Sequence, residues 1–193
     1  MKILNLYAGI GGNRKLWGDD HQITAVEFDP KIAAIYKEMH PNDNVIVADA
    51  HQFLLDHYKE FDFIWSSPPC PSHSRQRLQL ISRSEPIYPD MKLYQEVLFL
   101  KHFFKGLWVV ENVIPYYIPL LPATIEIDRH LFWSNITFPT IDIERGFNVH
   151  RCTKEDLSAY HNIEIAQSGI DKRKALRNCV HPKIGKHILD FAN

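Results

Sequence analysis

Short apolar runs alternate along the chain with longer segments of helical periodicity. Five of the runs predict β-strands, over residues 2–7, 23–26, 45–48, 61–65 and 107–110. Among the intervening segments, a proline opens a predicted helix over residues 30–39, and apolar residues recur at helical spacing over residues 91–105. This alternation predicts an α/β fold with a mostly parallel sheet and helices on both faces.

Polar and glycine residues follow directly after the predicted strands. The first strand runs into a glycine turn at residues 8–12 and a predicted helix through Trp17, and the others are followed by Glu27, Asp49, Cys70 and Glu111. A glycine turn allows close backbone approach to a ligand, and a carboxylate at a strand end can bind a ribose diol. Because the carboxyl ends of parallel strands share one edge, we expect these groups to meet in one site.

Cys70 lies in a stretch that restricts its backbone. Pro68, Pro69 and Pro71 fix φ around it and hold the thiol in a defined direction. This rigidity suits a nucleophile, although a structural cysteine in a proline-rich loop has the same local pattern. The motifs around Cys70 therefore have to decide between the two interpretations.

Composition limits the classes of protein to consider. A length of 193 residues with 45% apolar content predicts one domain, residues 1–193, with a sizeable core. Three distant cysteines and the absence of a leader-like start or a long apolar run predict a cytoplasmic protein without a membrane span. The formal net charge of −1 restricts nucleic-acid contacts to local basic surfaces. The candidates are Arg75, Arg77 and Arg83, and six lysines and arginines within residues 172–186.

Several spaced motifs resemble those of the cytosine-C5 DNA methyltransferases. They are Tyr7-Ala8-Gly9-Ile10-Gly11-Gly12, Glu27-Phe28-Asp29-Pro30, Pro68-Pro69-Cys70 with Ser74, and Glu111-Asn112-Val113. Residues 176–182 are similar to the family's late Gly-Asn-Ser-Val motif, with Arg177 and Cys179 in place of the glycine and the serine. The motifs occur in the expected order over nearly the full chain. The resemblance implies a Rossmann-like methyltransferase fold.

The resemblance also implies S-adenosylmethionine as methyl donor and a cytosine flipped out of double-stranded DNA as acceptor. Cys70 would add to cytosine C6, Glu111 would hold N3 protonated, and Arg129 would reach the base. The implied cofactor-binding residues are Tyr7, Ala8, Gly9, Ile10, Gly11, Gly12, Glu27, Phe28, Asp49, Pro69 and Asn178. The loop of residues 71–90 would close on the DNA through Ser74, Arg75 and Arg77. No spacing of histidines and cysteines predicts a metal site.

The chain departs from the family's pattern in two places. The family has an arginine pair near residues 129–135, of which Arg129 alone remains. If Phe132 and Trp133 set the register, His130 takes the place of the base-contacting arginine, and a protonated His130 would replace it in part. Residues 139–175 are a short remnant or replacement of the family's large target-recognition domain. We therefore expect a short target sequence, or recognition supplied by a homodimer or a partner protein.

Three alternatives stay open on the sequence. A non-catalytic DNA-binding or accessory relative would keep the fold and depend on a partner subunit, although the intact Cys70 and Glu111 weigh against it. A transfer-RNA cytosine-C5 methyltransferase would use the same motifs on another nucleic acid. A nicotinamide-dependent oxidoreductase would explain the glycine turn and Glu27, but it leaves Pro-Pro-Cys and Glu-Asn-Val unexplained.

Overall fold

The computed structural model describes residues 1–79, 85–144, 146–147 and 151–192. The strands of this part are β1 (Lys2–Leu6), β2 (Gln22–Glu27), β3 (Asn44–Val47), β4 (Phe63–Ser66), β5 (Leu107–Val113), β6 (Ile125–Ile127) and β7 (His130–Ser134). They form one sheet in the order β3-β2-β1-β4-β5-β7-β6. Strands β1 to β5 are parallel, whereas β7 runs antiparallel to β5 and β6. The predicted α/β, Rossmann-like fold with a mostly parallel sheet is confirmed.

Helices connect the strands and cover the sheet. The α-helices of the described residues are α1 (Pro30–Met39), α2 (Ala50–His57), α3 (Gln76–Gln79), α4 (Lys92–Phe103), α5 (Lys154–His161), α6 (Lys172–Arg177) and α7 (Pro182–Asp190). Helix α1 begins as its sequence predicts, because Pro30 occupies the first turn and the Asp29 carboxylate caps the Lys31 amide at 2.8 Å. Among the helices of the described residues, none is long and apolar enough to cross a membrane.

The core lies on both faces of the sheet, because successive residues of each strand point to opposite sides. One face buries Ile3, Phe63, Trp65, Val109 and Phe132 against Ile184 and Ile188 of α7. The other face buries Leu4, Ile64 and Val110 against Leu54 of α2 and Leu93, Val97 and Leu100 of α4. Full burial of one such side chain contributes about 1.5–3 kcal/mol, so each face has a substantial driving force of its own.

Close packing at two glycines brings the C-terminal part of the chain to the glycine turn. A Cβ atom on Gly185 of α7 would lie 2.1 Å from the backbone oxygen of Asn13, and one on Gly12 would lie 2.7 Å from that of Val180. Larger side chains would therefore push these segments apart. Residues 178–180 reach the carboxyl edge of the sheet only because both positions are glycines.

Three local predictions need correction or extension. The helix predicted through Trp17 is a single 3-10 turn, Asn13–Leu16, and the chain turns away at Gly18 with a φ of 76°. The loop predicted over residues 71–90 contains the short helix α3, and its residues 80–84, including Arg83, lie outside the described residues. Strand β5 continues to Val113, three residues beyond the predicted end, because β7 pairs with that extension.

A buried ion pair holds the segment after the glycine turn. Arg14 donates to Asp43 through Nε at 2.8 Å and Nη2 at 3.0 Å, and the Tyr36 hydroxyl donates to the same carboxylate at 2.8 Å. Both charged side chains are at most 5% exposed. Removing Asp43 would leave the buried Arg14 guanidinium with only the exposed Asp19 carboxylate, at 3.5 Å, as an acidic partner.

We predict that Asp43→Ala lowers the free energy of unfolding by about 3–5 kcal/mol, because the Arg14 guanidinium loses its buried partner. The measurement is urea unfolding followed by circular dichroism. The matched control is Asp190→Ala, which breaks the half-exposed pair of Asp190 with Lys186 and should change stability by about 0–1 kcal/mol. Equal effects of the two substitutions would contradict this account.

Candidate active site

The turn after β1 adopts backbone conformations that glycine favours. Gly9 and Gly11 have φ values of 55° and 78°, and Tyr7, which opens the turn, has a φ of 53°. A non-glycine residue in this region costs about 1–2 kcal/mol, so the fold must hold Tyr7 there by other contacts. The turn is fixed to β2, because the Gly9 amide donates to Glu27 Oε2 at 2.9 Å and the Asp29 amide donates to Glu27 Oε1 at 2.9 Å.

A cavity of about 370 Å³ opens beside this turn. Seven of the predicted cofactor-binding residues line it: Tyr7, Ala8, Gly9, Ile10, Gly12, Glu27 and Asn178. Further lining residues include Asn13, Lys31, Ile32, Ser67, Gly169, Asp171, Lys174 and Cys179. The structure thus brings three distant motifs together at the carboxyl edge of the sheet.

Four predicted cofactor-binding residues lie outside the cavity lining. Gly11 is buried against His40 and Tyr36, and the Phe28 side chain is 75% exposed. Asp49 caps α2 by accepting hydrogen bonds from the His51 and Gln52 amides at 2.8 and 3.2 Å. Pro69 is exposed in the turn before Cys70. Their proposed roles would require contacts beyond the wall of this cavity.

Cys70 lies half-buried in a turn that is held from both sides. The Cys70 carbonyl accepts from the His73 and Ser74 amides at 3.0 and 3.1 Å, and Asn112 Nδ2 donates to the Pro68 carbonyl at 2.9 Å. Burial raises the pKa of the thiol, and the nearby Glu111 carboxylate raises it further, while Arg129 and Arg177 partly oppose the rise. The thiol is therefore protonated near neutral pH until its electrostatic surroundings change.

Glu111 lies on the extension of β5 beyond its pairing with β4. Its side chain is 8% exposed, and burial raises its pKa to about 7, although interactions with the Ser67 hydroxyl and the Arg129 guanidinium offset part of the rise. A carboxyl group with this pKa can hold or release a proton near neutral pH. Glu111 therefore has the protonation behaviour of a general acid.

Arg129 and His130 both lie near Glu111, but in different ways. His130 pairs with Val113 across β5 and β7, and its Nε2 is 3.6 Å from Glu111 Oε1. Arg129 precedes β7, and its Nη2 donates to the backbone carbonyl of Arg177 and more weakly to that of Cys179 at 3.5 Å. The guanidinium is thus held between β7 and α6, where its charge acts on both Cys70 and Glu111.

The predicted DNA-binding residues follow Cys70 on the same loop. Ser74 forms an isolated antiparallel bridge with Pro115, and Arg75 Nε donates to the Pro115 carbonyl at 3.4 Å. Arg77 Nη2 donates to the Glu85 carbonyl at 2.7 Å. Both guanidinium groups therefore have backbone partners, which a phosphate would have to replace or share.

Three residues of the site carry little signal in the sequence. Ser67 looks like an ordinary residue of a turn, yet it lines the cavity and interacts with Glu111. Arg177 stands where the late motif of the family has a glycine, so the resemblance gives it no role, and its electrostatic effect on Cys70 makes it part of the site. Cys179 is buried against Gly12 and lines the cavity, and burial raises the pKa of its thiol to about 12.

We predict that the stability of the protein depends on pH through Glu111. The folded protein binds the Glu111 proton more tightly than the unfolded chain does, because the pKa rises from 4.5 to about 7 on folding. The resulting stabilisation is fully present below pH 4.5 and is lost as the pH rises through about 7. Relative to Glu111→Gln, the wild type should lose about 3 kcal/mol of unfolding free energy over this interval.

Urea unfolding at a series of pH values measures this difference. Glu126→Gln is the matched control, since Glu126 is exposed on β6 and its replacement should leave the pH profile of the wild type unchanged. Parallel profiles for the wild type and Glu111→Gln would show that Glu111 has an ordinary pKa.

Comparisons with known proteins agree with the motifs in the first part of the chain. Residues 1–85 match the family model of the C-5 cytosine-specific DNA methylases. A search of the curated proteins found no match. The similar solved structures include a hypothetical protein of Thermus thermophilus, with 17% identity, a TM-score of 0.48, and 69% of this chain and 73% of that chain covered.

Two further structures have more informative names. One is a SAM-dependent methyltransferase from Agrobacterium tumefaciens, with 18% identity, a TM-score of 0.44, and 61% of this chain and 40% of that chain covered. The other is a mutant of DNMT2 from Spodoptera frugiperda, with 24% identity, a TM-score of 0.41, and 58% of this chain and 35% of that chain covered. The chain thus spans less than half the length of these two proteins.

The matched residues 1–85 contain strands β1 to β4, the glycine turn, Glu27 and Cys70. The predicted resemblance is confirmed for this part: residues 1–85 have the sequence pattern of the C-5 cytosine-specific DNA methylases, and their strands lie within the Rossmann-like, mostly parallel sheet.

Proposed function

We propose that the chain is a DNA (cytosine-5-)-methyltransferase that transfers a methyl group from S-adenosylmethionine through a covalent adduct of Cys70 with cytosine. One observation carries the proposal. Ser67 lines the cavity beside the glycine turn, interacts with Glu111, and precedes Cys70 by three residues. A methyl donor in the cavity and a base held by Glu111 would therefore be separated by little more than this side chain.

The cavity suits S-adenosylmethionine in size and in chemistry. Its volume of about 370 Å³ lies within the range of small-molecule sites. Glu27 would bind the ribose hydroxyls, since each of its oxygens accepts one backbone hydrogen bond and retains a second lone pair. The backbone of residues 7–12 would hold the methionine moiety, and Asn178 would close the opposite wall. Bound there, S-adenosylmethionine would supply an electrophilic methyl group.

Cys70 would act on the base. Its thiolate would add to C6 of cytosine, which places electron density on C5 and makes that carbon nucleophilic. After C5 has gained a methyl group, loss of the C5 proton and breaking of the sulfur–C6 bond would restore the aromatic ring and release the thiolate. The turn around residues 68–74 supports this role because its hydrogen bonds fix the backbone that carries the Cys70 side chain.

The protonation state of Glu111 would control the ionisation of the Cys70 thiol. With a pKa of about 7 it can donate a hydrogen bond to N3 of the base, which withdraws electrons from C6. Protonation of Glu111 also removes a negative charge that opposes ionisation of Cys70. A base bound in this way would therefore favour the thiolate, with Arg129 and Arg177 supplying positive charge and His130 contacting Glu111.

A homodimer or a partner protein is the proposed source of further base contacts. Within residues 139–175, the described part forms α5 and the beginning of α6, and residues 145 and 148–150 lie outside the described residues. Leu157 and Ile163 of this segment pack on Ile10 and Ile35 of the catalytic unit. This segment therefore offers little room for an independent recognition element.

We predict that Cys70→Ser abolishes methyl transfer to DNA but changes the dissociation constant of S-adenosylmethionine by less than about twofold, because other residues line the cavity. The measurements are transfer of a labelled methyl group to DNA and to transfer RNA, together with calorimetric cofactor binding. Cys152→Ala is the control, since Cys152 lies in the apolar cluster around α5, and it should retain transfer.

DNA with 5-fluorocytosine supplies an independent test of the same step. With fluorine in place of the C5 proton, no base can remove a proton there and the sulfur–C6 bond cannot be broken by elimination, so the wild-type enzyme should accumulate a covalent adduct detectable by mass spectrometry at Cys70. Methyl transfer without any adduct would exclude the proposed chemistry. Transfer to transfer RNA alone would assign the chain to the alternative substrate.

We further predict that Glu27→Ala weakens binding of S-adenosylmethionine at least about tenfold, because a hydrogen bond to a charged group contributes about 1.5–3 kcal/mol. Glu60→Ala, which removes a 62% exposed carboxylate away from the cavity, should bind like the wild type. Unchanged affinity in Glu27→Ala would show that the cofactor does not occupy this cavity as proposed.

A further inference from the structure

Helix α4 carries a carboxylate into the interior of the protein. The Glu96 side chain is 1% exposed and projects from the same helix as the buried residues Leu93, Val97 and Leu100. A buried carboxylate is costly unless several hydrogen bonds replace its lost hydration. The hydrogen-bond donors around Glu96 therefore explain how the protein tolerates this buried carboxylate.

Three donors from three different elements converge on Glu96. The Tyr7 hydroxyl donates to Oε1 at 2.6 Å, and the Ser66 hydroxyl donates to Oε2 at 2.5 Å. His51 Nδ1 of α2 lies 2.9 Å from Oε1. The hydrogen bond to Glu96 raises the pKa of His51, and burial next to Glu96 raises the pKa of Tyr7, so the Tyr7 hydroxyl keeps its proton and the charged form of His51 is favoured by the pair.

The two hydroxyl donors lie in the two parts of the candidate site, one beside the cavity and the other just before the cysteine turn. Tyr7 opens the glycine turn, lines the cavity proposed for the cofactor and has a left-handed backbone conformation, with a φ of 53°. Ser66 is the last residue of β4 and precedes Cys70 by four positions. Pro68 and Pro69 stiffen the intervening chain, and Asn112 clamps it through the Pro68 carbonyl.

We propose that Glu96 is a positioning residue, which ties the cofactor turn at Tyr7 to the base of the cysteine turn at Ser66 and so sets the place of Cys70 relative to the cavity. This inference rests on the proposed function, because the position of Cys70 relative to the cavity matters only if the two act together. The hydrogen bonds that support it are all between residues of the protein. Removing the hydrogen bond of Tyr7 to Glu96 should therefore change the position of the cysteine turn, and removing that of Ser66 should change the glycine turn, even though the two residues are far apart in sequence.

Each end is tested by a measurement at the opposite end. Tyr7→Phe removes one hydroxyl group and keeps the ring, and its readout is the rate at which iodoacetamide alkylates Cys70, followed by peptide mass spectrometry without cofactor. Ser66→Ala removes the other hydroxyl, and its readout is the dissociation constant of S-adenosylmethionine. Tyr58→Phe is the matched control, because the Tyr58 ring packs against Phe99 and Phe104 away from this network.

We expect Tyr7→Phe to accelerate Cys70 alkylation about threefold or more, and Ser66→Ala to weaken cofactor binding by a similar factor. Tyr58→Phe should match the wild type in both measurements. In a Glu96→Gln background, which alters the acceptor shared by both hydroxyls, Tyr7→Phe should have a smaller effect on the alkylation rate than in the wild type. If Glu96 had a purely structural role, the substitutions would lower the melting temperature but would change neither the Cys70 alkylation rate in Tyr7→Phe nor the cofactor affinity in Ser66→Ala.

The outcomes separate this inference from the proposed function. An alkylation rate in Tyr7→Phe equal to that of Tyr58→Phe would overturn the positioning role, whether or not the enzyme methylates DNA. A wild-type protein that binds no S-adenosylmethionine would overturn the proposed function, while the alkylation comparison would still decide whether Glu96 connects the two turns.

Discussion

The parallel alignment of β1, β2, β4 and β5 is the constraint on which the site depends. Parallel strands bring their carboxyl ends to one edge, so the residues that follow them become neighbours despite large separations in sequence. Here that edge collects the glycine turn, Glu27, the cysteine turn and Glu111. The hydrophobic packing of helices on both faces fixes the strands and thereby fixes this edge.

The electrostatics of the site follow from its burial. Glu111 and Cys70 both have raised pKa values because neither charged form is well solvated there, and the Glu111 carboxylate raises the pKa of Cys70 further. The guanidinium of Arg129 moderates both effects from its place between β7 and α6. Near neutral pH this balance keeps the Cys70 thiol protonated, while Glu111 can hold or release its proton.

Two sets of contacts hold the glycine turn in its conformation. Glu27 binds its backbone from the side of β2, and Glu96 binds the Tyr7 hydroxyl from the side of α4. The C-terminal segment closes the third side, through the close approach of Gly12 to Val180. These contacts order the turn without a ligand, which would reduce the conformational entropy lost when a ligand binds there.

Local patterns in the sequence determined the strands, the glycine turn, the rigid surroundings of Cys70 and the placement of Glu27 and Glu111 at one edge. These features depend on periodicity, proline and glycine, whose effects act over a few residues. The tertiary structure alone decided that the predicted helix after the glycine turn is a 3-10 turn, that His130 lies beside Glu111, and that Arg129 is held by the carbonyl of Arg177. It also decided that Glu96, on an otherwise apolar face of α4, meets Tyr7, which is 89 positions away. Such contacts join residues that share no local pattern, because their proximity arises only when the packed helices and the sheet bring them together.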